Sequence, residues 1–205
     1  MVSAIRHFSS QASQLHWFLF LSPIFASFSL LANNTALLDE LRAMYDKDQR
    51  ARLFIIESND LGSEESLKII ETIDQENLPR LKAIIQRFGW PGFQLIGEEG
   101  ADKIWLLIQH CDRDVEFQKT CLQLLKDAVT KEDAPKKHLA YLMDRVLVNQ
   151  KLPQLYGTQA QIIEGQIIPQ PIEEQDQLDQ RRANMGLEPF NEYLLLLKEV
   201  YQLED

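Results

Sequence analysis

The chain has 205 residues, 45% of them hydrophobic and 25% charged, with 31 acidic against 21 basic side chains and a formal charge of −10. That length and apolar content suit one globular domain able to bury a core. With only eight glycines and eight prolines, helix formers dominate. No basic, aromatic-studded stripe offsets the negative charge, which excludes nucleic acid as a partner.

Residues 1–32 differ in kind. Arg6, His7 and His16 are the only basic residues there, no acidic residue precedes Asp39, and Trp17 to Ala32 is almost wholly apolar apart from Pro23 and a few serines. A basic start, an apolar core and a small residue at Ala32 predict a secretory signal peptide over 1–32. The mature chain, 33–205, is then periplasmic or secreted. The apolar run is too short and interrupted for a comfortable span of about 20 residues, so no stable membrane span is expected in the mature chain. The other reading is a retained anchor or a buried first helix. Removing 1–32 leaves 20 basic against 31 acidic residues, a formal charge of −11.

From Thr35 to Glu57, Leu38, Leu41, Tyr45, Asp48, Arg52 and Ile55 recur at helical steps. Asp48 and Arg52 fall on that stripe one turn apart, placed either as a buried ion pair or as a wet pair at its edge. Ser63 to Asp74 predicts a second helix with an acidic first turn. Asn77-Leu78-Pro79 predicts the start of a third, carrying Leu81, Ile84, Ile85 and Phe88 and stopping at Gly89. Trp90-Pro91-Gly92 makes a rigid corner. Ala101 to Cys111 is the most apolar helix of the mature chain and is expected at the centre.

Asp112 or Asp114 caps the next helix, which runs to about Thr130 with Phe117, Cys121, Leu124 and Leu125 inward. Pro135 opens another, with Leu139, Leu142, Met143 and Val146 in register. Gln161–Ile163 and Gln166–Ile168, separated by Glu164-Gly165, predict a β-hairpin. Glu173–Asn184 is again helical, Gly186 is placed as its C′ residue, and Pro189 starts a final helix with Leu194, Leu197, Val200 and Tyr201. The fold class is mainly α: a single helical domain with a short hairpin near residues 160–168. On a continuous helix Cys111 and Cys121 would lie about 15 Å apart, too far for a disulfide; a break between them would bring them closer, but nothing demands a bridge, and both read as small buried apolar residues.

The chain has no Gly-rich phosphate loop, nucleophile-elbow serine, Cys-x-x-Cys or His-Glu-x-x-His. The mature chain keeps two histidines, His110 and His138, and a zinc site would need both plus carboxylates without a standard spacing. No metal and no cofactor are expected. His110 ends the apolar helix with Asp112 two residues on. A carboxylate neighbour fixes an imidazole tautomer, as a general base requires, so His110 and Asp112 are the candidate catalytic pair. The plainer alternative is a histidine interacting with a helix C-terminus.

Asp144 and Arg145 sit within an apolar helix, where one of them can face inward. Arg181 and Arg182 offer guanidinium forks suited to a carboxylate or phosphate, or else surface ion pairs. Tyr156-Gly157-Thr158-Gln159 presents a phenol, a hydroxyl and an amide from a turn, or simply ties the hairpin to the helices. The candidate ligand-binding residues are therefore Asp144, Arg145, Tyr156, Thr158, Gln159, Arg181 and Arg182.

Asp48-Gln49…Arg52, Gly89-Trp90-Pro91, Gln109-His110-x-Asp112…Gln118, Asp144-Arg145, Gln154…Tyr156-Gly157-Thr158-Gln159 and Asp179…Arg181-Arg182…Gly186-Leu187…Pro189 together resemble an uncharacterised bacterial domain family of unknown function. The resemblance is collinear from about Asp39 to Tyr193. It departs at Cys111 and Val115, where the family pattern has alanine and a nearby proline. It implies no activity or cofactor. The residues themselves point to a secreted or periplasmic domain with an Arg- and His-lined pocket for a small polar or anionic ligand, of hydrolase or transferase type if it is an enzyme. The alternative is a protein-interaction or inhibitor module whose polar residues form a structural hydrogen-bond network. Nothing in the sequence sets an oligomeric state.

Overall fold

A computed structural model describes residues 23–203 apart from 59, 61 and 164, with side chains described from Asn34 onward. Most of the expected signal peptide, residues 1–22, lies outside the described residues. The helices are α1 (Pro23–Glu57), α2 (Glu64–Phe88), α3 (Phe93–Gln109), α4 (Val115–Thr130), α5 (Lys136–Asn149), α6 (Leu178–Asn184) and α7 (Phe190–Val200). Strands β1 (Ala160–Ile163) and β2 (Gln166–Pro169) form one antiparallel hairpin between α5 and α6. The fold is mainly α, as expected. No helix among the described residues is long and apolar enough to cross a membrane.

Helix α3 packs against α1, α2, α4 and α5, and its Ile104, Leu107 and Ile108 are sealed in a core with Leu41, Leu81, Leu125 and Leu142. It begins earlier than its apolar run suggests. Gly97, at φ +70°, breaks it into a first turn and a main body, a conformation that favours glycine. Asp133, from the α4–α5 connection, holds that first turn: its carbonyl accepts from Phe93 N and its Oδ1 from Gln94 N at 2.8 Å.

Residues 64–88 form one helix, where the sequence predicts two. Pro79 lies inside it, yet Ser66, Ile73, Asn77, Leu81 and Ile84 make a buried stripe that stays in phase across the proline. An interior proline costs about 3 kcal/mol, and the apolar burial on its C-terminal side offsets that. Ser63 caps the start, accepting from Ser66 N at 3.0 Å. The cap of α4 is Asp114, which accepts from Phe117 N at 2.9 Å.

The hairpin pairs Gln161 with Ile168 and Ile162 with Ile167, one residue longer on each strand than predicted. Helix α6 is shorter than Glu173–Asn184: Glu174 takes a left-handed conformation, and the carbonyls of Glu173 and Glu174 accept from Arg181. Gly186, at φ +72°, ends α6 as expected, with Leu187 N donating back to Arg182 O. On α7 the buried residue is Tyr193, while Val200 is exposed. Cys111 and Cys121 are free and buried, and burial pushes the Cys121 thiol up to about 12.

Candidate functional site

The C-terminal end of α3, the middle of α5, the segment after it, the hairpin and α7 surround a cavity of about 620 Å³. Gln109, His110, Arg145, Thr158 and Gln159 line its polar side. Trp105, Tyr141 and Tyr193 line it as well, with Leu106, Ile162, Ile167, Leu197 and Leu203. Trp105 and Tyr141 meet edge to face at 5.5 Å, and Tyr141 meets Tyr193 the same way at 6.2 Å.

His110 reaches the cavity because α3 ends on it. Its ring is held from behind: Nδ1–H donates to Asp48 Oδ1 at 3.0 Å. Asp48 projects from α1 and is 1% exposed. It also accepts from Arg52 Nε at 3.0 Å and Gln49 Nε2 at 2.8 Å. Burial pushes its carboxyl up, but the His110 hydrogen bond, the Arg52 charge and the Gln49 amide outweigh that and hold it at about 2. Asp48 is therefore an acceptor at any ordinary pH. That puts the proton of neutral His110 on Nδ1 and leaves Nε2 as the unprotonated nitrogen.

The Asp48 and Asp74 carboxylates and the His110 ring place ligand atoms within 4.8 Å of one another. Arg52 already lies on both acids, with Nη2 donating to Asp74 Oδ1 at 2.7 Å. Its guanidinium supplies the positive charge a divalent ion would bring and would have to be displaced by one, so this donor set does not fit a metal centre. Burial pushes Asp74 upward despite Arg52.

Asp112 is not the partner of His110. It lies at the α3–α4 turn, accepting from Asn149 Nδ2 at 2.8 Å, Gln118 Nε2 at 3.3 Å and Arg145 Nη1 at 3.3 Å. The ring of His110 instead faces α1, where a carboxylate 62 residues away in the chain awaits it. Of the two orientations of the buried Gln109 amide, one lets its oxygen accept from Leu142 N at 2.8 Å and Trp105 Nε1 at 3.2 Å. The other offers Arg145 Nε a contact of only 3.4 Å.

The remaining expected ligand residues hold the loop that forms one wall. Asp144 has no exposed surface and accepts from the backbone N–H groups of Leu155, Tyr156 and Thr158 at 2.8–3.1 Å and from Thr158 Oγ1 at 2.9 Å. Burial pushes its carboxyl up against the opposing pull of those donors. Arg182, also without exposed surface, donates to Tyr156 O at 2.6 Å and Glu188 O at 2.7 Å and lies over the Tyr193 ring at 4.8 Å. Arg181 donates to Leu155 O at 2.7 Å and to the carbonyls of Glu173 and Glu174. Tyr156 takes part through its backbone. Both arginines are committed to carbonyl oxygens, so neither is an open anion clamp.

Thr158 and Gln159 do line the cavity. The Thr158 hydroxyl is occupied, donating to Asp144 and accepting from Gln159 Nε2 at 2.9 Å, so Thr158 shapes the wall. Gln159 Oε1 has no hydrogen-bond partner among the described residues. The structure thus brings His110, Arg145, Thr158 and Gln159 to one cavity and sets Asp112, Asp144, Tyr156, Arg181 and Arg182 around it as supports. Sequence reasoning missed the Asp48–His110 contact and the aromatic lining. A charge on the apolar stripe of α1, and the place of Asp48 in the Asp48-Gln49…Arg52 string, were the available signals for it.

No curated protein and no solved structure matches the chain. The profile of a family of unknown function, DUF6624, matches residues 35–205, and the chain belongs to that family.

Proposed function

We propose that the cavity between α3, α5, the hairpin and α7 binds a small polar or anionic ligand, with His110 as its acid–base residue. The observation that carries this reading is the Asp48–His110 contact at the cavity wall. A buried, ionised carboxylate holds one ring nitrogen and so presents the other, the arrangement general-base catalysis requires. The cavity volume, about 620 Å³, falls within the range of about 300–1,000 Å³ usual for small-molecule sites. Arg145 would hold an anionic group, and Gln159 would orient the ligand. His110 Nε2 would take a proton from water or a hydroxyl in a hydrolysis or transfer reaction. Asp48 replaces Asp112 as the orienting carboxylate.

The ligand site is tested by a thermal-shift screen of the 33–205 chain and its His110→Ala variant against a metabolite library. A ligand that binds only the folded state raises the melting temperature, and the rise should vanish in His110→Ala while that variant stays folded. Ligands that stabilise both proteins alike would refute the site. A secreted or periplasmic bacterial location follows from the composition of residues 1–32 and belongs to the same proposal. Mass spectrometry of the native protein should find an N-terminus at or near Asn33. Intact Met1 in the soluble cytoplasmic fraction would overturn it.

A second reading, an interaction or inhibitor module, is favoured by the closed network of Asp144, Arg181 and Arg182, whose hydrogen bonds are all internal. A screen without any responding ligand, together with a defined complex with another protein, would select it.

A further inference from the structure

We propose that the ligand of this cavity is an amphipathic carboxylate, a single negative head on an apolar body. The inference rests on the reading of the cavity as a ligand site and names the chemistry it selects.

The head follows from charge. The chain carries 31 acidic residues, yet among the described residues no aspartate or glutamate lines this cavity, and Arg145 is its one permanently charged group. Three arginines surround the region, and they differ in what their donors do. Arg181 and Arg182 make hydrogen bonds of 2.6–2.7 Å to backbone carbonyls. Arg145 has a bond of 3.3 Å to the exposed Asp112 and, in one orientation of Gln109, a contact of 3.4 Å. Its Nη2 has no partner among the described residues. A guanidinium so weakly engaged, facing a cavity free of acids, is matched by a planar carboxylate that takes two of its N–H groups. Asp112 already balances part of the Arg145 charge from the exposed side, so the site suits a single negative charge at most, and a dianionic head would leave charge uncompensated.

The body follows from the aliphatic part of the lining. Ile162 and Ile167 are directly paired across the hairpin and share its inward face, while their neighbours Gln161, Ile163, Gln166 and Ile168 point outward. Leu106, Leu197 and Leu203 complete the wall. Such side chains offer no hydrogen bonds. A sugar or other polyhydroxylated ligand would leave its hydroxyls unpaired against them. An alkyl or aryl body loses nothing there and gains from leaving water. A cavity that joins one cation to several aliphatic side chains selects a ligand with a charged head and an apolar body.

The test titrates the protein with decanoate, decanol, decylamine and acetate by isothermal calorimetry, and repeats decanoate and decanol with Arg145→Gln, Ile167→Ser and Trp105→Ala. Decanoate should bind at least tenfold more tightly than decanol or decylamine, and acetate should give no heat at the same concentrations. Arg145→Gln should weaken decanoate tenfold or more while leaving decanol unchanged, and Ile167→Ser should weaken both. Circular dichroism checks that each variant is folded. The proposal is overturned by decylamine or decanol binding as well as decanoate, by acetate binding as well, by Arg145→Gln leaving decanoate affinity intact, or by no binding of decanoate at all. In those cases a metabolite that stabilises the wild type but not His110→Ala would still support the cavity as a site. Decanoate binding unchanged in Arg145→Gln and Trp105→Ala together would place the ligand elsewhere and sink the cavity reading itself.

Discussion

Replacing Asp144 by alanine removes the acceptor of three backbone N–H groups from a position with no exposed surface. A buried donor left without a partner costs about 1–3 kcal/mol, so three sum to roughly 3–9 kcal/mol. Two effects pull the total to the lower half. The lost carboxylate was itself disfavoured by burial, as its upward shift records, and water can enter the vacated space. The expected loss is about 3–5 kcal/mol, or roughly 6–20 °C in melting temperature for a domain of this size. Asp144→Asn keeps one oxygen for Leu155 and Tyr156 and strands Thr158 N, at about 1–3 kcal/mol. Arg145→Gln, one residue along the same helix, breaks only a long, exposed contact and should stay within about 0.5 kcal/mol of the wild type. Thermal and urea melts by circular dichroism measure all three. If Asp144→Ala melts within two or three degrees of the wild type (about 1 kcal/mol) and loses a ligand response instead, Asp144 faces the ligand and the supporting role is wrong.

Two further substitutions probe the charged groups. Arg52→Ala leaves the Asp48 and Asp74 carboxylates without their shared cation and should cost about 3–5 kcal/mol, as expected for an unpaired buried charge; an unchanged urea midpoint would mean the cluster is solvated. His138 is 1% exposed and stacks on Trp105 at 4.2 Å, and its Nε2 lies 2.9 Å from Asp102. Its Nδ1 is buried without a partner, and burial holds the ring down to about 4 against the pull of Asp102. The unfolded chain, with an ordinary value near 6.5, then binds more protons than the fold between pH 4 and 6.5. Stability therefore rises with pH across that window, is fully present above it, and falls by up to about 3 kcal/mol as pH drops to 4. His138→Phe keeps the stacking and should flatten that part of the pH profile; urea melts with the same pH dependence in both proteins would refute the assignment.

Much of the helical frame is legible in the sequence because periodicity and caps are local. Ile104, Leu107 and Ile108 stand at steps of three and four and so mark a buried face, while Asp114 and Gly186 announce helix ends through their own local chemistry. Where local punctuation and long-range phase disagree, phase wins: Pro79 suggests a break, but the stripe from Ile73 to Ile84 is unbroken and the helix runs through. The site is legible only in part, for a different reason. Asp48 on an apolar stripe points to Arg52 one turn on, which it does meet, but not to its further partner, and Asp144 within an apolar helix advertises a buried charge without saying what satisfies it. The further partner of Asp48 is a histidine 62 residues away, and that of Asp144 is a run of backbone N–H groups. Arg181 and Arg182 likewise direct their donors to carbonyls. Most side-chain hydrogen bonds in proteins go to the backbone or to water, and backbone groups look the same under every sequence. A polar residue that is structurally committed and one that waits for a ligand therefore read alike until the chain is folded. Arg145 differs from Arg182 in this protein by the lengths of its hydrogen bonds and by the cavity it faces, and both are properties of the fold alone.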